Sequence, residues 1–230
     1  MWLTNSSIGR KVIMSVTGIA LILFLTFHAC MNVVVLFSPE AYNAVCEALG
    51  ANWYAVAGTV ALAALVAVHF IYAIILTLQN RKARGASSYA VTARPEKVEW
   101  ASQNMFVLGL IVVLGLLLHL FNFWYNMMFA EFANHGYAFV GDYAAGDGAG
   151  LIAHTFANPV YAALYIVWFV AIWFHMTHGF WSAFHTLGIN NKTWICRWKT
   201  IGNVYVTVVM LIFVAVALVF AFCGGACCAA

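Results

Sequence analysis

Eight histidines occur in the 230-residue chain, and five of them fall inside long apolar runs that contain no Asp, Glu, Lys or Arg. These are His28, His69, His119, His175 and His178. Ionisable side chains inside a bilayer are costly and, by default, functional. A proton pump or ion carrier would place carboxylates there. Neutral imidazole without an accompanying acid suits ligation of a metal or of haem iron. His135, His154 and His185 fall in a loop or at a helix end, where a histidine is more often solvated than liganding.

The elements that must position these imidazoles follow from length. A helix rises about 1.5 Å per residue, so about 20 apolar residues cross about 30 Å of hydrocarbon. Five stretches qualify, running approximately from Val12 to Phe37, Trp53 to Leu78, Ser102 to Phe129, Asn158 to Phe184 and Gly202 to Phe222. Trp53, Trp100, Trp124, Trp194 and Trp198 lie near their ends as interfacial anchors. The first run exceeds the length of a signal-peptide core and lacks a small-residue cleavage site, so a retained helix is expected. The chain reads as an all-α integral membrane protein, a single bundle of five transmembrane helices spanning residues 1–230.

Lys and Arg set the orientation. Arg10 and Lys11 precede the first span, Arg81, Lys82, Arg84, Arg94 and Lys97 follow the second, and Lys192, Arg197 and Lys199 follow the fourth, which accounts for all ten. The opposite loops carry Glu40, Glu47, Glu131, Asp142 and Asp147 instead. The positive-inside rule therefore puts the amino terminus in the cytoplasm and the carboxyl terminus outside. With that topology, His28 and His119 lie roughly 25 to 30 Å from the cytoplasmic ends of their helices, and His69 and His175 roughly 20 Å. The histidines form two layers near 10 Å apart, each drawn from two different helices, which is the requirement of two bis-histidine b haems. Gly18, Ala29, Gly58, Gly109, Gly115 and Gly179 are small enough to let helices admit a flat macrocycle.

Composition excludes other classes. Hydrophobic residues make up 65% of the chain and charged ones 7%, with a mean hydropathy of +0.93, so neither a water-soluble domain nor a nucleic-acid binder is in view. Cys30, Cys46, Cys196, Cys223, Cys227 and Cys228 show no metal-ligand spacing and read as packing thiols. The 130–157 loop, rich in Gly, Ala and Asp, is expected to form a small cap over the outer face. The tail Gly224-Gly225-Ala226-Cys227-Cys228 receives no role.

Several motifs resemble the cytochrome b membrane anchor of succinate:quinone oxidoreductases, succinate dehydrogenase or quinol:fumarate reductase, in the single-chain, five-helix, two-haem class. The resemblance rests on Ser7-Ile8-Gly9-Arg10-Lys11, Thr17-Gly18 before Phe27-His28, His69 late in the second span, Leu118-His119-Leu120, and Phe174-His175-x-x-x-Gly179-Phe180-Trp181 before Leu187-Gly188. It covers most of the chain, and the last motif is the most specific. In the family the fourth-span ligand stands four residues before such a glycine, which selects His175 over His178.

The resemblance implies that His69 and His175 bind the haem nearer the cytoplasm and His28 and His119 the outer one. It implies a flavoprotein subunit carrying FAD and an iron-sulfur subunit docked on the cytoplasmic side, at Gly85 to Glu99 and Asn190 to Lys199. It further implies electron exchange with membrane quinone, expected to be menaquinone, in a bacterial cytoplasmic membrane, with no dicarboxylate chemistry in this subunit. A quinone site needs an apolar slot and a hydrogen-bond donor. Glu47 is the first candidate for it, followed by Glu40 and Tyr42. Some related enzymes carry a glutamate two residues before the fourth-span ligand, where this chain has Trp173. Two alternatives stand beside this reading. One is a dihaem anchor of a hydrogenase or formate dehydrogenase, disfavoured by the His-x-x-x-Gly-Phe-Trp element. The other is a transporter, for which inverted repeats, broken helices or intramembrane carboxylates would be expected.

Overall fold

In the computed structural model, residues 2–50, 52–84 and 99–223 are described, and those residues contain no β-strand. Five helices are long and apolar enough to cross a membrane. The first span is the α-helix Ser7–Asn32, tightened at its end into the 3-10 turn Val33–Leu36. Trp53–Arg84 is the second. The third runs as Trp100–His119 and continues through a π-helical stretch, Leu120–Phe129, into Ala130–Ala133. Pro159–Thr186 and Lys192–Cys223 are the fourth and fifth.

Local chemistry explains the boundaries. Ser6 Oγ accepts the Gly9 amide at 2.9 Å and opens the first span, and Asn158 Oδ1 accepts the Val160 amide at 2.9 Å and opens the fourth, with Pro159 at its first position. The fourth ends where Gly188 takes φ +78°. There Ile189 N bonds to Phe184 O and Gly188 N to His185 O, a paired closure that needs the left-handed conformation. Asn191 Oδ1 then accepts the Thr193 and Trp194 amides at 3.0 and 2.9 Å. The fifth helix therefore starts at Lys192, and the expected docking loop Asn190 to Lys199 is mostly helix. The second and fourth helices likewise run past the apolar stretches read from sequence, because nothing in Gln79–Arg84 or His185–Thr186 breaks them.

The first, fourth and fifth spans form the packed centre, with the third lying on the fourth. The second packs along the first and, among the described residues, makes no other extensive helix contact. At one end of the bundle lie the amino terminus and Arg81, Lys82 and Lys192, with the turn 187–191. The other end is covered by two short helices, Pro39–Ala48 and Gly148–Ala157. Ser38 and Asp147 cap them. Asn43 joins them, donating to Asp147 Oδ1 at 2.8 Å and accepting from the Ala149 amide at 2.9 Å. The 130–157 segment thus covers that end, as its composition suggested. Arg94, Lys97, most of the loop Gly85 to Glu99 and the 224–230 tail lie outside the described residues.

Candidate functional site

The bundle brings the four selected histidines together as two pairs. His28 and His119 face each other with ring centroids 5.7 Å apart and planes at 85°. His69 and His175 are 6.4 Å apart at 68°. Within each pair the imidazoles come from different spans. His178, one turn beyond His175, faces elsewhere: its ring meets Trp181 at 4.9 Å, and Nδ1 lies 3.6 Å from a Glu99 carboxylate oxygen.

Glycine contacts fix the level of each pair. A Cβ on Gly18 would lie 3.3 Å from the His69 ring, and one on Gly109 3.6 Å from that of His175. His28 and His119 each stand ten residues further along the same helices, so the layers are separated by roughly 15 Å. That exceeds the spacing near 10 Å obtained from sequence by counting from Lys11, Glu99, Arg81 and Gly188, because residues near helix ends need not mark a common depth. Gly115 has a different job. Its Cβ would coincide with the Trp168 indole, which donates to Val112 O at 3.0 Å and lies 5.8 Å from the His119 ring. Ala29 is packed into the central core at 1% exposure, while Gly58 and Gly179 face open space.

The imidazole nitrogens decide whether these residues fit a haem iron. Thr17 Oγ1 lies 3.0 Å from His69 Nδ1, and its own proton goes to Ile13 O at 2.8 Å. The hydroxyl therefore accepts from Nδ1–H, which leaves the Nε2 lone pair available for a metal. His175 Nδ1 and His178 Nδ1 are both buried without a hydrogen-bond partner, so this does not distinguish the two. A metal bonded to two imidazole nitrogens at about 2.0 to 2.1 Å each sets the rings about 6 Å apart, close to both observed spacings. Among the described residues, no cluster of three or more His, Cys, Asp or Glu is placed to hold a bare metal ion. The donor set is thus two separate imidazole pairs, which fits bis-histidine haem.

No protein-family model, curated protein or solved structure matches the chain.

The remaining sequence candidates are dispersed. Glu47 is exposed on Pro39–Ala48, its stem against Gly146. Glu40 is exposed and accepts from Ser38 Oγ, and its own helix amide and that hydroxyl hold its carboxyl below the usual range. Tyr42 is buried. Burial pushes the Cys46 thiol up to about 11, as suits an inert packing thiol. Trp173 donates to Thr207 Oγ1 at 2.9 Å and so belongs to the contact between the fourth and fifth spans. His154 is exposed beside Tyr143, and His185 pairs with Asn190.

Sequence reasoning missed several polar groups that the fold gathers. Asn126, 2% exposed, donates to Phe121 O and Asn122 O within the π-helical stretch and accepts the Phe139 amide. Asn122 donates to the buried Tyr165 hydroxyl at 3.3 Å. Buried asparagines four residues apart, just past His119, were the available signal. Glu99 was the other omission: Lys199 Nζ binds it at 2.6 Å and lies 4.5 Å from the Trp181 ring centroid.

Burial raises the Glu99 carboxyl, but hydrogen bonding and charge from Lys199, then from His178, outweigh it and hold the group below its usual range. A carboxyl depressed in the folded state stabilises above its unfolded value of about 4.3, and that contribution is lost as pH falls through the folded value. Glu99→Gln is therefore expected to flatten the acid side of a stability profile between pH 7 and pH 3. The loss at pH 7 stays below about 1 kcal/mol, because the pair is partly exposed. Thermal midpoints in detergent check this, and an unchanged acid limb would refute the clamp.

Proposed function

We propose that this chain is the membrane-anchoring, dihaem cytochrome b subunit of a succinate dehydrogenase or quinol:fumarate reductase complex. It passes electrons between a partner iron-sulfur subunit and membrane quinone. One observation carries the reading: two imidazole pairs, each shared between spans, at two levels of one bundle. When bound, b haem supplies one-electron chemistry at iron.

The chain's own residues do the rest. His28 with His119, and His69 with His175, would hold the two haem irons through their imidazole nitrogens. Thr17, accepting from His69 Nδ1, would keep the proton there and leave Nε2 free to bind iron. Apolar and aromatic side chains around each pair, Phe24, Phe213, Phe123 and Trp168 among them, exclude water.

In this reading the amino terminus is cytoplasmic and the carboxyl terminus outside a bacterial inner membrane. The basic end meets the iron-sulfur subunit and, through it, an FAD-containing flavoprotein. Lys199 is already engaged by Glu99, and Arg197 lies over Trp194, so Lys82 and Lys192 are the better docking charges. Glu47 at the capped end is the first candidate for contact with quinone, expected to be menaquinone. The motif His175-x-x-x-Gly179-Phe180-Trp181 favours this complex over a hydrogenase or formate dehydrogenase anchor.

A reduced-minus-oxidised spectrum with a pyridine haemochrome assay on the purified chain tests the reading. Two b haems per polypeptide are expected. A well-folded preparation with none would overturn it.

A further inference from the structure

Among the described residues the second span packs chiefly along the first, and Thr17 and Gly18 mark where a candidate ligand meets that seam. Thr17, 7% exposed, directs its hydroxyl proton to Ile13 O at 2.8 Å, with Met14 O at 3.1 Å. A bond to its own helix backbone is all that a threonine in an apolar helix requires. The Thr17 oxygen nevertheless also lies 3.0 Å from His69 Nδ1, on the neighbouring span. Gly18 makes room for this approach: a Cβ there would stand 3.3 Å from His69 Cε1 and press on the ring. The other member of the pair has no such support. His175 Nδ1 is buried without a hydrogen-bond partner, although its ring centroid is only 6.4 Å from that of His69.

We infer that Thr17 is a positioning residue that holds the His69 imidazole by its Nδ1 proton and thereby sets the redox potential of the inner haem. The inference rests on the dihaem reading. An imidazole bound to iron through Nε2 carries its proton on Nδ1. The Thr17 oxygen, its own proton committed to the backbone of its helix, accepts that proton. A hydrogen bond from Nδ1–H makes the ligand more basic, favours ferric iron and lowers the midpoint. Because His175 lacks such a partner, the control falls on one ligand of the pair. It is exerted from the first span, which contributes His28 to the other pair.

The test is a redox titration of the haem α-band in the purified full-length chain. In a His28→Ala background only the haem of His69 and His175 remains, and in a His69→Ala background only the other, so the two signals are assigned separately. Thr17→Val keeps the branched shape without the oxygen and is expected to raise the midpoint of the inner haem. Thr17→Ser keeps the oxygen, loses the methyl group and is expected to leave that midpoint unchanged. Neither should move the outer haem, whose ligands lie roughly 15 Å further along the helices. Loosened packing predicts the reverse order, since serine leaves the larger void. An unchanged inner midpoint in Thr17→Val, equal shifts in Thr17→Val and Thr17→Ser, or equal shifts in both haems overturn the role. If Thr17→Val loses the inner haem outright, its retention in Thr17→Ser upholds the hold on His69, and loss in both overturns it. A wild-type chain with two haems that ignore these changes refutes the role of Thr17 alone, whereas a wild-type chain without haem refutes the dihaem reading and the role with it.

Discussion

A His175→Ala chain is expected to hold one haem where the wild type holds two. The same one-haem loss is expected for His28→Ala, His69→Ala and His119→Ala, and none for His178→Ala. The physical reason is pairing. His175 faces His69 at 6.4 Å, so its removal leaves an iron with a single protein nitrogen and exposes it to exchange. His178 lies one turn away with its ring on Trp181 and its nitrogen toward Glu99. A histidine so placed contributes to the clamp at the basic end, where its loss is a matter of tenths of a kcal/mol to about 1 kcal/mol. Haem counting by pyridine haemochrome on each variant checks the set. Retention of both haems in His175→Ala would reject the pairing, and loss of one in His178→Ala would reject the choice between the two histidines.

Gly115→Leu is expected to be the most disruptive single change in the bundle that touches no histidine. The first side-chain carbon alone would coincide with the Trp168 indole. Trp168 cannot yield cheaply, because its Nε1 is tied to Val112 O and its ring packs against Tyr165, Phe169 and His119. Overpacking of this kind costs about 1–3 kcal/mol, and unseating the indole entirely approaches the roughly 3–5 kcal/mol of a Trp-to-Ala truncation. The thermal midpoint in detergent should fall, and the haem of His28 and His119 should go with it. Gly58→Leu supplies the contrast. Nothing lies within 4 Å of a Cβ there, so the gain in helix propensity over glycine, up to about 1 kcal/mol, is unopposed. If the two variants had equal midpoints, the close approach of the third and fourth spans at Gly115 would be refuted.

The number of spans, their approximate limits and the membership of each histidine layer were all legible in the sequence. Apolar runs of this length have one stable outcome in a bilayer, and an imidazole within one is conspicuous against its neighbours. Helix ends were less legible. The fifth helix begins at Lys192 rather than near Gly202 because Asn191 caps it, a local signal easily outweighed by the search for apolar length. The layer spacing, roughly 15 Å rather than near 10 Å, was less legible for a related reason: Lys11, Glu99, Arg81 and Gly188 mark where the spans end in sequence, not a common depth.

Local sequence decided wherever the cause was local: apolar length for the spans, and Ser6, Asn158, Gly188 and Asn191 for their ends. Tertiary structure alone decided everything that depends on two elements meeting. It turned Thr17 toward His69, set Tyr42 on Asn32, filled Gly115 with Trp168, joined Glu99 to Lys199 and left Glu47 exposed on a short helix. Helix periodicity says which face a residue occupies, but which neighbour that face meets is set by how five helices share one core. A hydrogen bond spanning 52 residues of chain, such as that between Thr17 and His69, leaves no trace in the spacing of either partner.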